Sequence, residues 1–450
     1  MFNQGETIQA HLQPQPEHQD QGQNPCRITE ARDTGPHIGQ GTISGSIISS
    51  VGLDQGFKEY FHPKEEEKNQ DEEQRNEEDI VKYDNNPIYP MLFQDDVFNP
   101  SKSVETAQDA IKRVETLLES KLLDLNEDKS VFIVAGRKKA RSEMQRKIDS
   151  SPLLLYGSRM KQATVDKYLG CKISVTAADS VAATVSNRLG AAYRSIYEAR
   201  TVVEDSRATA AGGITLIFEI FEMSIIPMLL FGAECFDPIP KKTLDSLNRF
   251  SNSFLRLALG LPKNGGIISS LYFDTGTLLI SNRILLAKMI FTHHLATLPE
   301  QSLAKDFYNT QRNNPNEYPG IVTETLKTLQ QWGFNDISVF SKYSFKKVIK
   351  AKIFAKNESD LLQSMMNNKK IDVDSCRREG FGMKPYLKEM NLSDARMYYR
   401  IKYHLVPTIR LNQKNNKRYK AQKWLCPDCS ISKSLSDYGN YVIMIMMMMI

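Results

Sequence analysis

Apolar and polar positions follow different rhythms along this chain, and each rhythm predicts a kind of element. Residues 1–37 show almost no apolar periodicity and are rich in Gln, Pro, His and acids. Such a stretch buries too little surface to offset its ordering entropy, which predicts a disordered leader. From Gly39 to Gly56, glycines and serines punctuate Ile43, Ile47, Ile48 and Val51. The run from Lys64 to Asp79 is almost entirely charged, the pattern of a solvated loop or exposed helix. Met91 to Phe93 then reads as a short buried strand ending in Asp95 and Asp96, with Asn99-Pro100 breaking it. Strand alternation would turn Phe93 and Asp95 to one face and Gln94 and Asp96 to the other.

Helical spacing follows. Val104, Ala107, Ile111, Val114, Leu118 and Leu122 recur every three or four residues, predicting a helix capped by Asn99 with Pro100 first. Ser130 to Val134, Leu153 to Tyr156 and Tyr168 to Val175 read as strands, separated by a basic helical segment over 137–147. From Ala177 the pattern becomes helical: Val181, Val185, Leu189, Ala192, Ile196 and Ala199 mark one long helix. Ile214 to Gly232 marks a second, broken by Pro227, and Leu244 to Leu257 a third. The apolar run at Met223 to Ala233 is too short to span a membrane and reads as core. Residues 300–365 are helical and polar without a motif. The predicted class is α+β.

Charge sharpens this picture. The 450 residues carry 58 Lys+Arg and 53 Asp+Glu, a net of +5. Residues 1–100 hold 7 basic and 19 acidic residues, a net of −12, so the remainder stands at +17. A basic body behind an acidic leader suits a polyanion partner, and equally a surface charged for solubility. Beyond Lys369, Tyr398, Tyr399, Arg400, Tyr403, Arg410, Tyr419 and Trp424 interleave rings with cations. That pattern fits either unstacked nucleic-acid bases or a basic amphipathic helix on a domain surface. Six scattered cysteines make no disulfide framework, and the polar N-terminus shows no signal peptide. The expectation is an intracellular protein, in nucleus or cytoplasm, with no membrane partner.

Several residues could carry chemistry. Asp95 and Asp96 at a strand tip are either a solvated turn or oxygen ligands for Mg2+. The glycines of the 39–56 stretch permit close backbone approach to a ligand or simply a turn. Lys129 reads from the residues as a surface lysine at a helix C-terminus. The His293-His294 pair has no nearby carboxylate or cysteine in sequence and reads as structural. Cys426-Pro-Asp-Cys429 is half of a zinc site, and no Cys or His follows it, so no bound zinc is expected.

Taken in order, these segments resemble the palm of a reverse transcriptase, most closely those of LINE-type (non-LTR) retrotransposons. Gly39-Gln-Gly-Thr-Ile-Ser-Gly45 resembles motif B, and Phe93-Gln-Asp-Asp96 the aromatic-x-Asp-Asp hairpin of motif C. Asn126 and Lys129 fit motif D, and Lys167-Tyr-Leu-Gly170 fits the primer-grip motif E. The resemblance implies Mg2+ at Asp95 and Asp96, and Lys129 protonating the departing pyrophosphate. It implies Gly39, Gln40, Gly41 and Phe93 near incoming dNTP. It implies Lys167, Tyr168 and Gly170 on the primer of an RNA or DNA template.

The organisation expected is a disordered leader (1–37), a partial reverse-transcriptase palm (38–175) and a helical thumb (176–262). A mostly helical basic extension (263–425) and a truncated zinc-knuckle-like tail (426–450) follow. Two-metal phosphoryl transfer needs carboxylates from two strands. The strand of the family that supplies the other carboxylate precedes motif B, where Asp20 and Asp33 end no apolar strand. The expectation is therefore a polymerase-family chain that is incomplete and inactive alone. A non-catalytic nucleic-acid-binding protein derived from a retroelement is the alternative, and a decayed reading frame the third.

Overall fold

The computed structural model describes residues 81–405, apart from 84–85, 89–90, 94–95, 122, 206–212, 367, 369–370 and 404. Gly39, Gln40, Gly41, Asp95 and the Cys426/Cys429 pair lie outside the described residues. Two short hairpins open the described part. β1 (Lys82–Tyr83) pairs antiparallel with β2 (Asn86–Pro87), and β3 (Met91–Phe93) with β4 (Asp96–Phe98). The register sets Met91 opposite Phe98, Leu92 opposite Val97 and Phe93 opposite Asp96. The apolar segments flanking the carboxylates therefore pair with each other. Phe93 and Asp96 lie on opposite, paired strands, so the alternation expected along one strand does not apply.

Helix α1 (Val104–Ser120) starts later than Asn99-Pro100 predicts, because Ser103 makes the better cap. Its Oγ accepts the Thr106 N–H at 3.1 Å, and Thr106 Oγ1 accepts the Ser103 N–H at 3.2 Å. Two otherwise orphaned donors are satisfied reciprocally. The expected stripe is present, with Val104, Val114, Leu117 and Leu118 buried. After β5 (Val131–Phe132) come α2 (Lys138–Ser150), β6 (Leu154–Leu155), β7 (Ser158–Arg159), β8 (Lys161–Gln162), β9 (Val165–Tyr168) and β10 (Cys171–Ser174). β5 pairs parallel with β8, and β6–β7 and β9–β10 are antiparallel hairpins. Among the described residues every ladder is two strands wide.

Helices make up most of the rest. α3 (Ala177–Asp205) and α4 (Gly213–Ile220) lead into a π-turn over Phe221–Ile225, then α5 (Ile226–Leu229) and α6 (Lys241–Ala258). The widened turn sits just before Pro227, which has no N–H to donate to the preceding turn. Phe221 on that turn stacks on Phe254 with ring centroids 3.8 Å apart. Then follow α7 (Ile268–Thr275), α8 (Ile280–Ala296), α9 (Leu303–Asn313), α10 (Ile321–Gln331) and α11 (Lys342–Met366). α12 (Val373–Glu379), α13 (Pro385–Glu389) and α14 (Leu392–Lys402) complete the described chain. One apolar core joins Phe250 and Phe254 of α6, Tyr272 of α7, Leu387 of α13 and Tyr399 of α14, running straight across residue 262. A second core gathers Met289, Tyr308, Val322, Leu329, Phe345, Ile349 and Ile353. His293 is a satisfied core histidine: its Nε2 meets the Phe340 carbonyl at 3.0 Å and its ring stacks on Phe345.

The last helices are held by a buried carboxylate. Asp274 is fully buried, and accepts from Tyr386 Oη at 2.7 Å, Tyr403 Oη at 2.8 Å and Lys402 Nζ at 3.1 Å. Lys402 also reaches Glu379 at 2.7 Å. Burial pulls the Lys402 ammonium down, but Asp274 and Glu379 outweigh it and hold the pKa above its usual value. Burial, then the Asp274 charge, pushes both tyrosine hydroxyls up, so they act as donors. Removing one partner of a buried ion pair strands the others, at about 3–5 kcal/mol. Asp274→Ala should therefore lower unfolding free energy by about that much. Tyr403→Phe should cost about 2 kcal/mol, a hydrogen bond to a charged group. Urea unfolding followed by circular dichroism checks both; an Asp274→Ala variant as stable as the parent would contradict the assignment.

Candidate nucleic-acid interface

The β9–β10 hairpin closes through Leu169 and Gly170, with Tyr168 opposite Cys171. Both turn residues have positive φ, 46° and 78°, the requirement of a two-residue I′ turn. The continuous strand expected over Tyr168 to Val175 is thus two strands, because Gly170 supplies a turn conformation that a strand cannot use. A Cβ on Gly170 would stand 3.4 Å from the Phe231 ring. The close approach that glycine allows here is taken by a side chain of the protein itself. Leu169 carries a left-handed backbone at a steric cost of about 1–2 kcal/mol and is nonetheless exposed at the tip.

Alternation and cross-strand pairing sort the hairpin into two faces. Tyr168 and Asp166 share one face with Cys171 and Ile173; Lys167 faces the other, directly opposite Lys172. Two lysines opposed across a ladder repel each other, an arrangement that a bound anion relieves. On the first face Tyr168 meets β4: its ring lies 5.2 Å from that of Phe98. Burial, then the Asp96 charge, raises the Tyr168 hydroxyl pKa, which puts the exposed Asp96 carboxylate within electrostatic reach of it. The aromatic-x-Asp-Asp hairpin and the Lys167–Gly170 hairpin therefore lie against each other, although far apart in sequence.

Arg188 of α3 fixes that hairpin to the helices. It is buried, and its guanidinium donates to the Gly170 carbonyl at 3.0 Å and to the Phe231 carbonyl, lying over the Phe231 ring. A planar fork of donors suits two carbonyls at a turn. Nothing in a helical apolar stripe marks such a residue, and sequence reasoning passed over both Arg188 and Phe98.

Other expected residues are placed differently. Lys129 ends an exposed turn in which its N–H is held by Asn126 Oδ1 at 3.1 Å. No hydrogen bond, ion pair or ring contact among the described residues links Lys129 to Asp96 or Tyr168. The basic helix expected over 137–147 is α2, where Arg137, Lys138, Lys139, Arg146 and Lys147 are exposed. Of the basic-aromatic tail, Tyr399 and Tyr403 are buried, and Arg400 donates to the Gly260 carbonyl at the end of α6. These three serve packing; the tail beyond residue 405 lies outside the described residues.

A two-metal centre needs carboxylates converging from two strands. Among the described residues no group of three or more His, Cys, Asp or Glu converges, and Asp96 is the carboxylate shown acting on Tyr168. Among the described residues Asp96 alone does not make a Mg2+ site, and Asp95 lies outside them. No helix among the described residues is long and apolar enough to cross a membrane. Comparison with protein-family models, curated proteins and solved structures finds no match.

Arg188→Met leaves the Gly170 and Phe231 carbonyls without their donor. Stability should fall by about 2–3 kcal/mol, and amide exchange should quicken at Gly170 and Cys171 before it does in α6. Leu169→Asn should gain about 1 kcal/mol, since Asn tolerates the left-handed region. Unchanged exchange at the hairpin in Arg188→Met would rule out its anchoring role.

Proposed function

We propose that the chain is a reverse-transcriptase-like protein that binds the primer end of an RNA or DNA template between its two hairpins. The observation that carries this reading is the packing of Phe98, on the strand that begins at Asp96, against the Tyr168 ring. In the proposal Lys167 and Lys172 hold primer phosphates, and Tyr168 sets the terminal sugar beside the Asp95-Asp96 pair. Gly39, Gln40, Gly41 and Phe93 would face dNTP, and Lys129, exposed on its turn, would approach the leaving pyrophosphate. Mg2+ would require a carboxylate additional to the hairpin pair. The exposed cations of α2 favour a second reading, a non-catalytic nucleic-acid-binding protein derived from a retroelement.

A primed template bearing a photoreactive nucleotide at its 3′ end separates the two. Crosslinks should map to 165–174, and Lys167→Ala with Lys172→Ala should weaken binding of a primed junction several-fold more than of an unprimed strand. Crosslinks confined to α2, with equal affinity for primed and unprimed strands, would support the second reading. Primer extension with Mg2+ or Mn2+ is expected to be absent for this chain alone. Template-dependent incorporation that vanishes in Asp95→Ala would show instead that the chain is self-sufficient.

A further inference from the structure

Helix α11 is built with two unlike halves. From residue 337 to 354 the chain has no Asp or Glu, while Lys342, Lys346, Lys347, Lys350 and Lys352 fall within it. Phe345, Ile349 and Ile353 bury one side of this half in the second core. Lys342, Lys346, Lys347 and Lys350 are exposed. None of these four forms an ion pair among the described residues. Lys342, Lys346 and Lys350 recur at steps of four, a rise of about 6 Å each. Like charges at that spacing repel along a helix face.

The C-terminal half shows what a helix built only for solubility would do. There Lys356 pairs with Asp360 at 2.6 Å, and Glu358 accepts the Phe381 N–H at 3.0 Å. The N-terminal half has no carboxylate to offset its repulsion, Lys350 lying over the Phe354 ring at 5.8 Å instead. It also adds an exposed ring: Tyr343 is 79% exposed between Lys342 and the Lys346-Lys347 pair. A row of ammonium groups fits a chain of phosphates, and an exposed ring among them fits an unstacked base. An acidic peptide would satisfy the lysines but leave the ring unused.

We propose that the N-terminal half of α11 is a binding surface for single-stranded nucleic acid. Lys342, Lys346, Lys347 and Lys350 contact phosphates, and Tyr343 stacks on a base. The lysines are point charges, so the binding is independent of sequence. The proposal rests on the nucleic-acid reading above, but not on the hairpin site.

The test is fluorescence anisotropy of the full chain with labelled dT20 and rU20 across a KCl series. Four released contacts should lower the magnitude of the log K against log salt slope by roughly 3 in the K342Q/K346Q/K347Q/K350Q variant, at about 0.7 per phosphate. Tyr343→Ala should weaken dT20 binding roughly tenfold or more at unchanged slope and leave duplex affinity alone. Circular dichroism must show parental helix content in both. A K167Q/K172Q variant separates this surface from the hairpin. If it loses primed-junction preference while the four-lysine variant keeps the parental slope, the α11 proposal fails and the hairpin reading stands. The reverse pattern upholds α11 and removes the hairpin. A polyglutamate peptide that displaces dT20 from the parent, and binds it more tightly than dT20 at equal salt, would overturn the proposal in favour of an acidic protein partner.

Discussion

The helical body depends on what is done with one buried negative charge. Asp274 has no exposure to water, and an isolated carboxylate in that position would be prohibitively expensive. Its three side-chain donors, Tyr386, Lys402 and Tyr403, all come from the last described helices or their end. The chain must therefore return across more than 100 residues to α7 before the charge is satisfied. That return sets further contacts: Tyr399 Oη meets Ser270 Oγ at 2.8 Å, and Arg396 Nε donates to the Ala258 carbonyl at 2.9 Å. Carbonyls at the end of α6, orphaned by helix geometry, thus receive their donors from α14.

Arg188 does the corresponding work for the smaller layer of strands. The β9–β10 ladder is only two strands wide, and a hairpin of that size is marginal unless it packs on something. Arg188 ties its turn to Phe231, two residues past α5, and the Thr184 hydroxyl accepts the Lys172 N–H at 2.7 Å. With one side of the hairpin fastened to α3, the Tyr168 ring is held where Phe98 of β4 meets it. The strained Leu169 turn fits the same picture. A left-handed leucine is tolerated where surrounding contacts over-determine the backbone, and such positions concentrate at binding surfaces.

Periodicity made the helices legible and left the turns obscure. The stripes in α1, α3 and α6 follow from spacing alone, because burial repeats with the helical turn. The break at Pro227 was legible for the same reason, though a π-turn in front of it was not. Misreadings came where a side-chain cap or a glycine turn decided the geometry. Ser103 outcompeted Asn99 as a cap through Thr106, and Gly170 ended a strand that hydrophobicity would have continued. The pairing of Phe93 with Asp96 was not legible from the alternation argument, which assumed one continuous strand. Long-range partners were the least legible. Arg188, Phe98 and Asp274 look ordinary in sequence, and only the fold reveals what each faces.

The same distinction decides which cations are available to a partner. Interleaved rings and basic residues in the tail looked like a nucleic-acid surface, yet Tyr399, Tyr403, Arg400 and Lys402 are consumed by the core and by Asp274. Composition counts a charge without knowing its counterion. In α11 the accounting runs the other way: a segment without any motif keeps five exposed lysines and no carboxylate to neutralise them. Charge that the fold has already used contributes little to long-range attraction, because a paired ion presents a dipole rather than a net field. Within the described residues, the cations of that interleaved tail, Arg400 and Lys402, are committed to the fold, whereas α2 and α11 keep exposed cations.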